Sequence, residues 1–422
     1  MIESILGNRR IDAQVRAAAE TALPRLLEED PRRRAVRMRV LEAFLAEGVA
    51  ESDLAGSTGY GYDDAARDRY ESLLARVFRA ERVLARLSIV SGTHAIVASL
   101  DALLAPGNLL LCANGAPYDT LRYALVDAPY SVVARGVGYA EVERTITGDT
   151  DLVALAAALR ATAPAVVFVQ RSRGYASRRS LSIAAIECIV AVVREHAPDA
   201  IVFVDNCYGE LVEEREPLEV GADVIAGSLI KNVGGGLAPT GGYIAGSTAL
   251  VAKIAARVFA PGIGAGLGPT LGFGRTLMQG LFYAPLVIGE TLRGLDFAAS
   301  LFARLGFEVD PLPGELRTDI VQAIRLGTRE RLIAFARGLQ TALPINARFT
   351  PEPGPVPGYV DPVIMSSGSF ISGSTIDLSC DAPLRAPWDV YLQGGIVAEH
   401  VALGAILAAD AIYSGTSSPM KP

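Results

Sequence analysis

The stretch Ile201–Gly246 reads IVFVDNCYGELVEEREPLEVGADVIAGSLIKNVGGGLAPTGGYIAG. An apolar run from Ile201 to Val204 delivers Asp205 at its end. A second run, Asp223 to Ala226, leads through Gly227, Ser228 and Ile230 to Lys231 and then to Gly234, Gly235 and Gly236. A third, Tyr243 to Ala245, follows at once. Short apolar runs that end in polar residues predict buried strands of an open α/β sheet, whose ligands sit at the carboxyl ends.

Lys231 is one of only three lysines, with Lys253 and Lys421, among 39 basic residues. Where a surface cation suffices, this chain uses arginine. A lysine kept between an apolar run and three glycines suggests a task that needs an amine able to lose its proton, such as forming a Schiff base. An exposed loop lysine would look the same in isolation. Asp205, one strand earlier, changes the balance. A carboxylate held against a pyridine nitrogen keeps that ring electron-accepting, and pyridoxal phosphate (PLP) chemistry needs such an acid beside its lysine on neighbouring strand ends. The plainer reading of Asp205 is a strand-end carboxylate capping the next turn.

The motifs GYGYDD, SGTHA, APYDTL, QRSRGY, VDNCYGE, GSLIKN, APGIG and LRAPWDVYLQGG follow one another from about Gly59 to Gln393. In that order they resemble the PLP-dependent fold-type-I enzymes of the cystathionine synthase and methionine γ-lyase group, in particular the aluminium-resistance, methionine γ-lyase-like branch. Several ordered motifs carry far more than any one of them. The resemblance implies a large PLP-binding domain with a mostly parallel, seven-stranded sheet and a smaller α+β domain. The expected division is a helical arm over residues 1–50, the large domain over 51–285 and the small domain over 286–422.

Site residues follow from both sources. Ser91, Gly92 and Thr93 open a helix expected to run to about Leu104, and free N–H groups at such a start seat an anion. Plain serine or threonine capping reads equally well from the residues alone. By the resemblance, Ser228 adds a phosphate donor. Tyr118, twenty-five residues after Thr93, implies a ring stacked on the cofactor, its phenol near the reacting carbons. Tyr60 implies a phosphate contact reaching a neighbouring subunit, with Tyr62 (also a substrate-contact candidate) and Arg67 weaker, and hence a homodimer or homotetramer with shared sites. The usual Tyr-x-Arg of the family is Tyr-Gly-Tyr here. Arg173, in QRSRGY at a strand end, is a candidate for the cofactor's phenolic oxygen or a substrate carboxylate, though solvated loop arginines fit too. Arg385 is the candidate for the substrate α-carboxylate, a bidentate task suited to guanidinium. His94 and Arg171 receive no assignment.

Composition narrows the class. With 422 residues, half of them hydrophobic and 20% charged, the chain can build two sizeable globular cores. A net charge of −7 with interleaved arginines argues against nucleic acid as a partner. The N-terminus lacks a signal-peptide core and no apolar run suits a membrane span, so a cytoplasmic protein is expected. Cys112, Cys188, Cys207 and Cys380 read as reduced buried residues, and with three scattered histidines no metal site is expected.

Working outward, the first fifty residues predict one or two amphipathic helices broken by Pro24 and Pro31. Strands are expected at Leu87–Val90, Leu109–Cys112, Val132–Ala134 and Ala165–Gln170, and helices at Ala65–Phe78, Leu152–Arg160 and Ile183–Glu195. A long helix is expected from Leu286. Beyond it lie strands at Ile320–Ala323 and Phe370–Leu378, helices at Arg329–Leu339 and Gly395–Ala409, and a loop over Pro351–Pro362. Ala260–Gly274, with six glycines, matches neither GxGxxG nor a P-loop and reads as a wall of the site or of a subunit interface.

The expected activity is β- or γ-elimination on an amino acid carrying a leaving group, with Lys231 moving the protons and Tyr118 assisting the departing group. The same groups serve γ-replacement or a specialised elimination giving an unsaturated amino acid. From another class, a non-catalytic stress-resistance protein retaining the fold is the remaining alternative.

Overall fold

The computed structural model describes residues 1–416, and the chain divides into two compact units. One is Arg34–Pro285; the other joins Met1–Arg33 to the chain from Leu286 onward. Residues 34–50, read from sequence as part of the arm, therefore belong with the first unit, and the helix Ala13–Leu27 packs on the C-terminal helix Ala398–Thr416. Residues 417–422 of the expected small domain lie outside the described residues.

Seven strands build the sheet of the first unit: β1 (Arg82–Arg86), β2 (Leu109–Cys112), β3 (Gly138–Glu141), β4 (Val166–Gln170), β5 (Ile201–Asp205), β6 (Val224–Ser228) and β7 (Gly242–Gly246). Their order is β1-β7-β6-β5-β4-β2-β3. β3, β2, β4, β5 and β6 run parallel, while β7 runs antiparallel to both β6 and β1. This is the mostly parallel α/β sheet expected from the motifs. β4, β5 and β6 are central, and runs such as VVFVQ are buried along their whole length, as sheets covered on both faces require. Phe168 and Phe203, on adjacent strands, meet edge to face with ring centroids 5.7 Å apart. The register sets Asp205 between Gln170 and Ala226, at the carboxyl edge.

Two strand assignments in this unit shift, and one cysteine differs from expectation. Leu87–Val90 is a turn; the strand lies just before it, where the arginine ends of RVLAR hid it. Arg86 is buried there against Glu71 and the carbonyls of Leu267 and Ala265. Val132–Ala134 is part of a short 3-10 turn, started by the Ser131 hydroxyl accepting from Ala134 N at 3.1 Å and closed by left-handed Gly136; the strand is Gly138–Glu141. Cys188 is exposed, because the helix Ile183–His196 turns Ile186, Ile189 and Val190 inward and leaves residue 188 outward.

The second unit carries β8 (Glu308–Asp310), β9 (Val321–Arg325), β10 (Val363–Ser367), β11 (Ser379–Pro383) and β12 (Asp389–Gln393), an antiparallel sheet in the order β10-β11-β12-β9-β8. Phe370–Leu378 is not a strand: its SGST core favours bends, and pairing resumes at Ser379. The long helix begins at Gly274, not Leu286, and runs to Arg304 with Pro285 inside it. No helix among the described residues is long and apolar enough to cross a membrane.

Candidate active site

β6 ends at Ser228, and the chain turns so that Lys231 N donates to Ser228 O at 3.3 Å. Lys231 Nζ lies over the ring of Tyr208, 4.0 Å from its centroid. Burial pulls its pKa down, but Cys207, Tyr208, Asp205 and Tyr118 around it outweigh burial and leave it well above the usual lysine value. Asp205 responds in kind. Burial raises its carboxyl and the Lys231 charge pulls it back, while Oδ1 accepts from Cys207 N at 3.1 Å. The acid and the amine read together from sequence thus stand in one buried electrostatic unit.

The turn that follows Asp205 brings Tyr208 to the amine. Tyr208 and Leu211 both adopt left-handed backbone, at φ 71° and 60°, uncommon for bulky side chains. A buried network holds them there. Asn232, next to Lys231, donates its two amide hydrogens to Tyr208 O and Glu210 O, each at 2.9 Å. Glu216 accepts from Asn206 Nδ2 at 3.0 Å and from Leu211 N at 2.9 Å. Arg171, fully buried, donates to Asn206 Oδ1 at 2.7 Å and to Glu213 Oε2 at 2.9 Å. A Cβ on Gly209 would stand 2.4 Å from that guanidinium, so only glycine admits it. Glu210 is buried beneath, accepting from Tyr243 OH at 2.9 Å; burial pushes its pKa up to about 8 against the pull of Lys231.

On the other side stands the turn after β1. Ser91 caps the helix Gly92–Leu103, its hydroxyl accepting from His94 N at 3.0 Å. A Cβ on Gly92 would meet Cys207 Sγ at 2.9 Å and Ser228 N at 3.5 Å, which places this helix start directly beside the ends of β5 and β6. Thr93 Oγ1 and Tyr118 OH share a hydrogen bond of 2.8 Å, and Tyr118 N donates to Gln170 Oε1 at 2.9 Å. Burial and the nearby Asp205 carboxylate raise the phenol well above its ordinary value, so Tyr118 stays protonated. Ser91, Gly92, Thr93, Tyr118, Asp205, Ser228 and Lys231, drawn from four separate stretches, converge on one place. The arrangement offers an anion seat at a helix start, a buried carboxylate and a single amine.

Other expected residues lie elsewhere. Tyr60 and Tyr62 are 72% and 66% exposed, their rings packed on each other 5.7 Å apart. Arg67 is buried and braces their loop, pairing with Asp68 and donating to the carbonyls of Gly61, Gly268 and Tyr62. Arg173 is buried in the loop beside Tyr118, its carbonyl accepting from Arg178 Nε at 2.6 Å. Arg385 belongs to the other unit, where Nη1 lies 3.5 Å from Asp361 Oδ2. Sequence reading passed over Tyr208, Cys207, Glu210 and Asn232. All four sit inside quoted motifs, but left-handed backbone at a tyrosine has no sequence signal. Among the described residues no cluster of three His, Cys, Asp or Glu side chains is placed to hold a metal.

The chain is similar to several known proteins. The methionine gamma-lyase family model covers residues 11–413. An uncharacterised Bacillus subtilis protein, YnbB, is 44% identical over 89% of this chain and 90% of its own length. The crystal structure of a carbon-sulfur lyase involved in aluminum resistance from Clostridium novyi NT superposes with a TM-score of 0.89 at 40% identity, covering 95% of this chain and 96% of that one. The L-methionine gamma-lyase of Pseudomonas putida is 29% identical over half of each chain.

Proposed function

Since this chain belongs to the methionine γ-lyase family and has the fold-type-I architecture, we propose that it is a PLP-dependent carbon–sulfur lyase acting on an amino acid with a β or γ leaving group. The observation that carries the reading is Lys231 Nζ, surrounded by Asp205, Cys207, Tyr208 and Tyr118, beside a helix start where a Cβ on Gly92 would meet Cys207 Sγ at 2.9 Å.

The residues present fit the cofactor. The helix start at Ser91, Gly92 and Thr93 lies against the ends of β5 and β6, and its first N–H groups with the hydroxyls of Ser91, Thr93 and Ser228 would seat the phosphate. Asp205 would hold the proton on the pyridine nitrogen, and Lys231 would hold the cofactor through Nζ. Bound PLP supplies an electron sink conjugated to the substrate α-carbon. Lys231 Nζ would be the base that takes the α-proton and, once it has passed that proton on, a β-proton for γ-elimination. Tyr118, protonated and oriented by Thr93, gives its phenolic proton to the leaving sulfur. Arg385 is the candidate for the α-carboxylate and Arg173 for the cofactor's phenolic oxygen.

Tyr60 and Tyr62, exposed on a braced loop, suit a second copy of this chain, with Tyr60 at its phosphate seat and Tyr62 near its substrate. A homodimer or homotetramer in the cytoplasm is the corresponding assembly, and light scattering on the purified protein measures it. The activity test is a visible absorbance scan before and after adding single amino acids with β or γ leaving groups. A yellow protein whose band shifts, with a 2-oxo acid appearing, is expected, and Lys231→Ala should lose both band and product. A wild type that stays colourless with added PLP refutes the proposal. Colour without any product would leave a binding protein in its place.

A further inference from the structure

We propose that Tyr208 is a positioning residue for the reactive amine: the face of its ring, 4.0 Å from Lys231 Nζ, holds that nitrogen in its ammonium form, and the phenolic hydroxyl is dispensable for this. The inference rests on the reading of Lys231 as the cofactor-holding amine.

The geometry has three parts. An ammonium over an aromatic face is attracted to the ring's negative quadrupole, more strongly where water is excluded. The ring reaches this position only because Tyr208 adopts left-handed backbone, a conformation with a local cost. The clamp that maintains it is built from the residue next to the lysine, since Asn232 bonds the Tyr208 carbonyl with one hydrogen and the Glu210 carbonyl with the other. Lysine and ring are therefore tied through one side chain, in a turn that Asn206, Glu216 and Arg171 also hold.

The groups facing the amine are Asp205 at the end of β5, Cys207 and Tyr208 in the turn, Tyr118 from the loop before residue 119, and Glu210 from below. Of these, Asp205 is committed elsewhere, its Oδ1 accepting from Cys207 N and its proposed work lying at the pyridine nitrogen. A carboxylate against Nζ would bind the proton in an ion pair and hold the amine in place. A ring face favours the same charge without accepting a hydrogen bond, so the nitrogen stays free to swing between two carbon atoms while carrying a proton.

The experiment follows PLP uptake by the full chain stripped of cofactor, read as the rise of the visible band at fixed pH near 8. Loading condenses the cofactor aldehyde with the uncharged amine and releases water, so its rate tracks the fraction of Lys231 that is uncharged. Losing the ring lowers the amine pKa, and Tyr208→Leu should load about two- to thirty-fold faster, the range of roughly 0.5–2 kcal/mol converted at about 1.36 kcal/mol per tenfold. Its rate–pH curve should move to lower pH by the same factor. Tyr208→Phe should load like wild type. Equal or slower loading by Tyr208→Leu overturns the inference, and a Phe variant that behaves like the Leu variant overturns the assignment to the ring. If circular dichroism shows the Leu variant unfolded, Tyr208→Met, ringless and of similar length, takes its place under the same criteria. A wild type that takes up no PLP refutes the function proposed above, a result distinct from either.

Discussion

Arg171 offers the sharpest quantitative test of how the turn after Asp205 is held. Its side chain is fully buried, bonded to Asn206 and Glu213, with the equally buried Glu216 at 3.6 Å. Removing one member of such a group strands the others without water. The expected cost is about 3–5 kcal/mol, most of it the desolvation of the carboxylates left behind. Arg171→Met keeps the volume and deletes the charge. For a unit the size of Arg34–Pro285, roughly 2–4 °C is lost per kcal/mol, so the thermal midpoint should fall by about 6–20 °C. The control is Arg215→Met, which breaks an Arg–Glu pair of similar length, 2.9 Å to Glu187, with both side chains about half exposed. Water already screens that pair, and no measurable shift is expected. The double variant Arg171→Met with Glu216→Gln should be more stable than Arg171→Met alone, since the stranded charge is gone. Circular dichroism melts of the four proteins at pH 7.5 decide it. Equal midpoints for the Arg171 and Arg215 variants would refute the account of the network, as would a double variant worse than the single.

The remaining expectations follow from other parts of the site. Glu210 is protonated in the folded protein up to about pH 8 and ionises near the ordinary carboxylate value when unfolded, so the native state binds the extra proton between those values and stability falls as pH rises through about 8. Glu210→Gln should therefore match wild type in urea unfolding at pH 5 and exceed it at pH 9, and an unchanged pH slope counts against a neutral Glu210. Gly92→Ala places a methyl 2.9 Å from Cys207 Sγ, an overpacking of roughly 1–3 kcal/mol aimed at the anion seat. Its PLP dissociation constant should rise about five- to a hundredfold by equilibrium dialysis, and the melt should fall by about 2–12 °C. Asp64 accepts from Ser57 N, Arg67 N and Thr270 N and sits near pKa 2; burial alone would raise it, and these donors more than reverse that. Its stabilising effect is present above the usual carboxylate pKa and lost as pH falls through about 2, and Asp64→Ala should open the Tyr60 loop to limited proteolysis.

Much of this was legible in the residues, and the part that was not has a common cause. Asp205 and Lys231 announced themselves because strand ends carry a periodic apolar signal and because lysine is scarce in this chain. The helix start at Ser91–Thr93 was readable from small residues before an apolar run. The strand before it was not, because Arg82 and Arg86 disguise β1, and Arg86 is tolerated in the interior by Glu71, fifteen residues earlier, and by carbonyls about 180 residues later. Arg171 and Arg173 read alike in QRSRGY, yet the first braces a turn thirty-five residues downstream while the second lies beside Tyr118. Tyr208 was hidden most deeply. Its place depends on a backbone angle that only Asn206, Glu216, Arg171 and Asn232 acting together can maintain, and no local pattern encodes that agreement.

The pairing of β1 with β7 also governs when a ribosome-bound chain can acquire a working site. Arg82 faces Gly246 across the sheet, so among the described residues the strand that carries the Ser91 turn has its one strand partner more than 160 residues later in the chain. The parallel strands β2 and β4–β6 can register as they emerge, but the anion seat hangs from an unpaired edge until β7 has been translated. Contacts of such long separation form slowly. A nascent chain halted before Gly242 should display Asp205 and Lys231 on a partial sheet and retain no PLP, and one extended past Gly246 should retain it. In the proposed enzyme, cofactor capture reports that β1 has paired with β7.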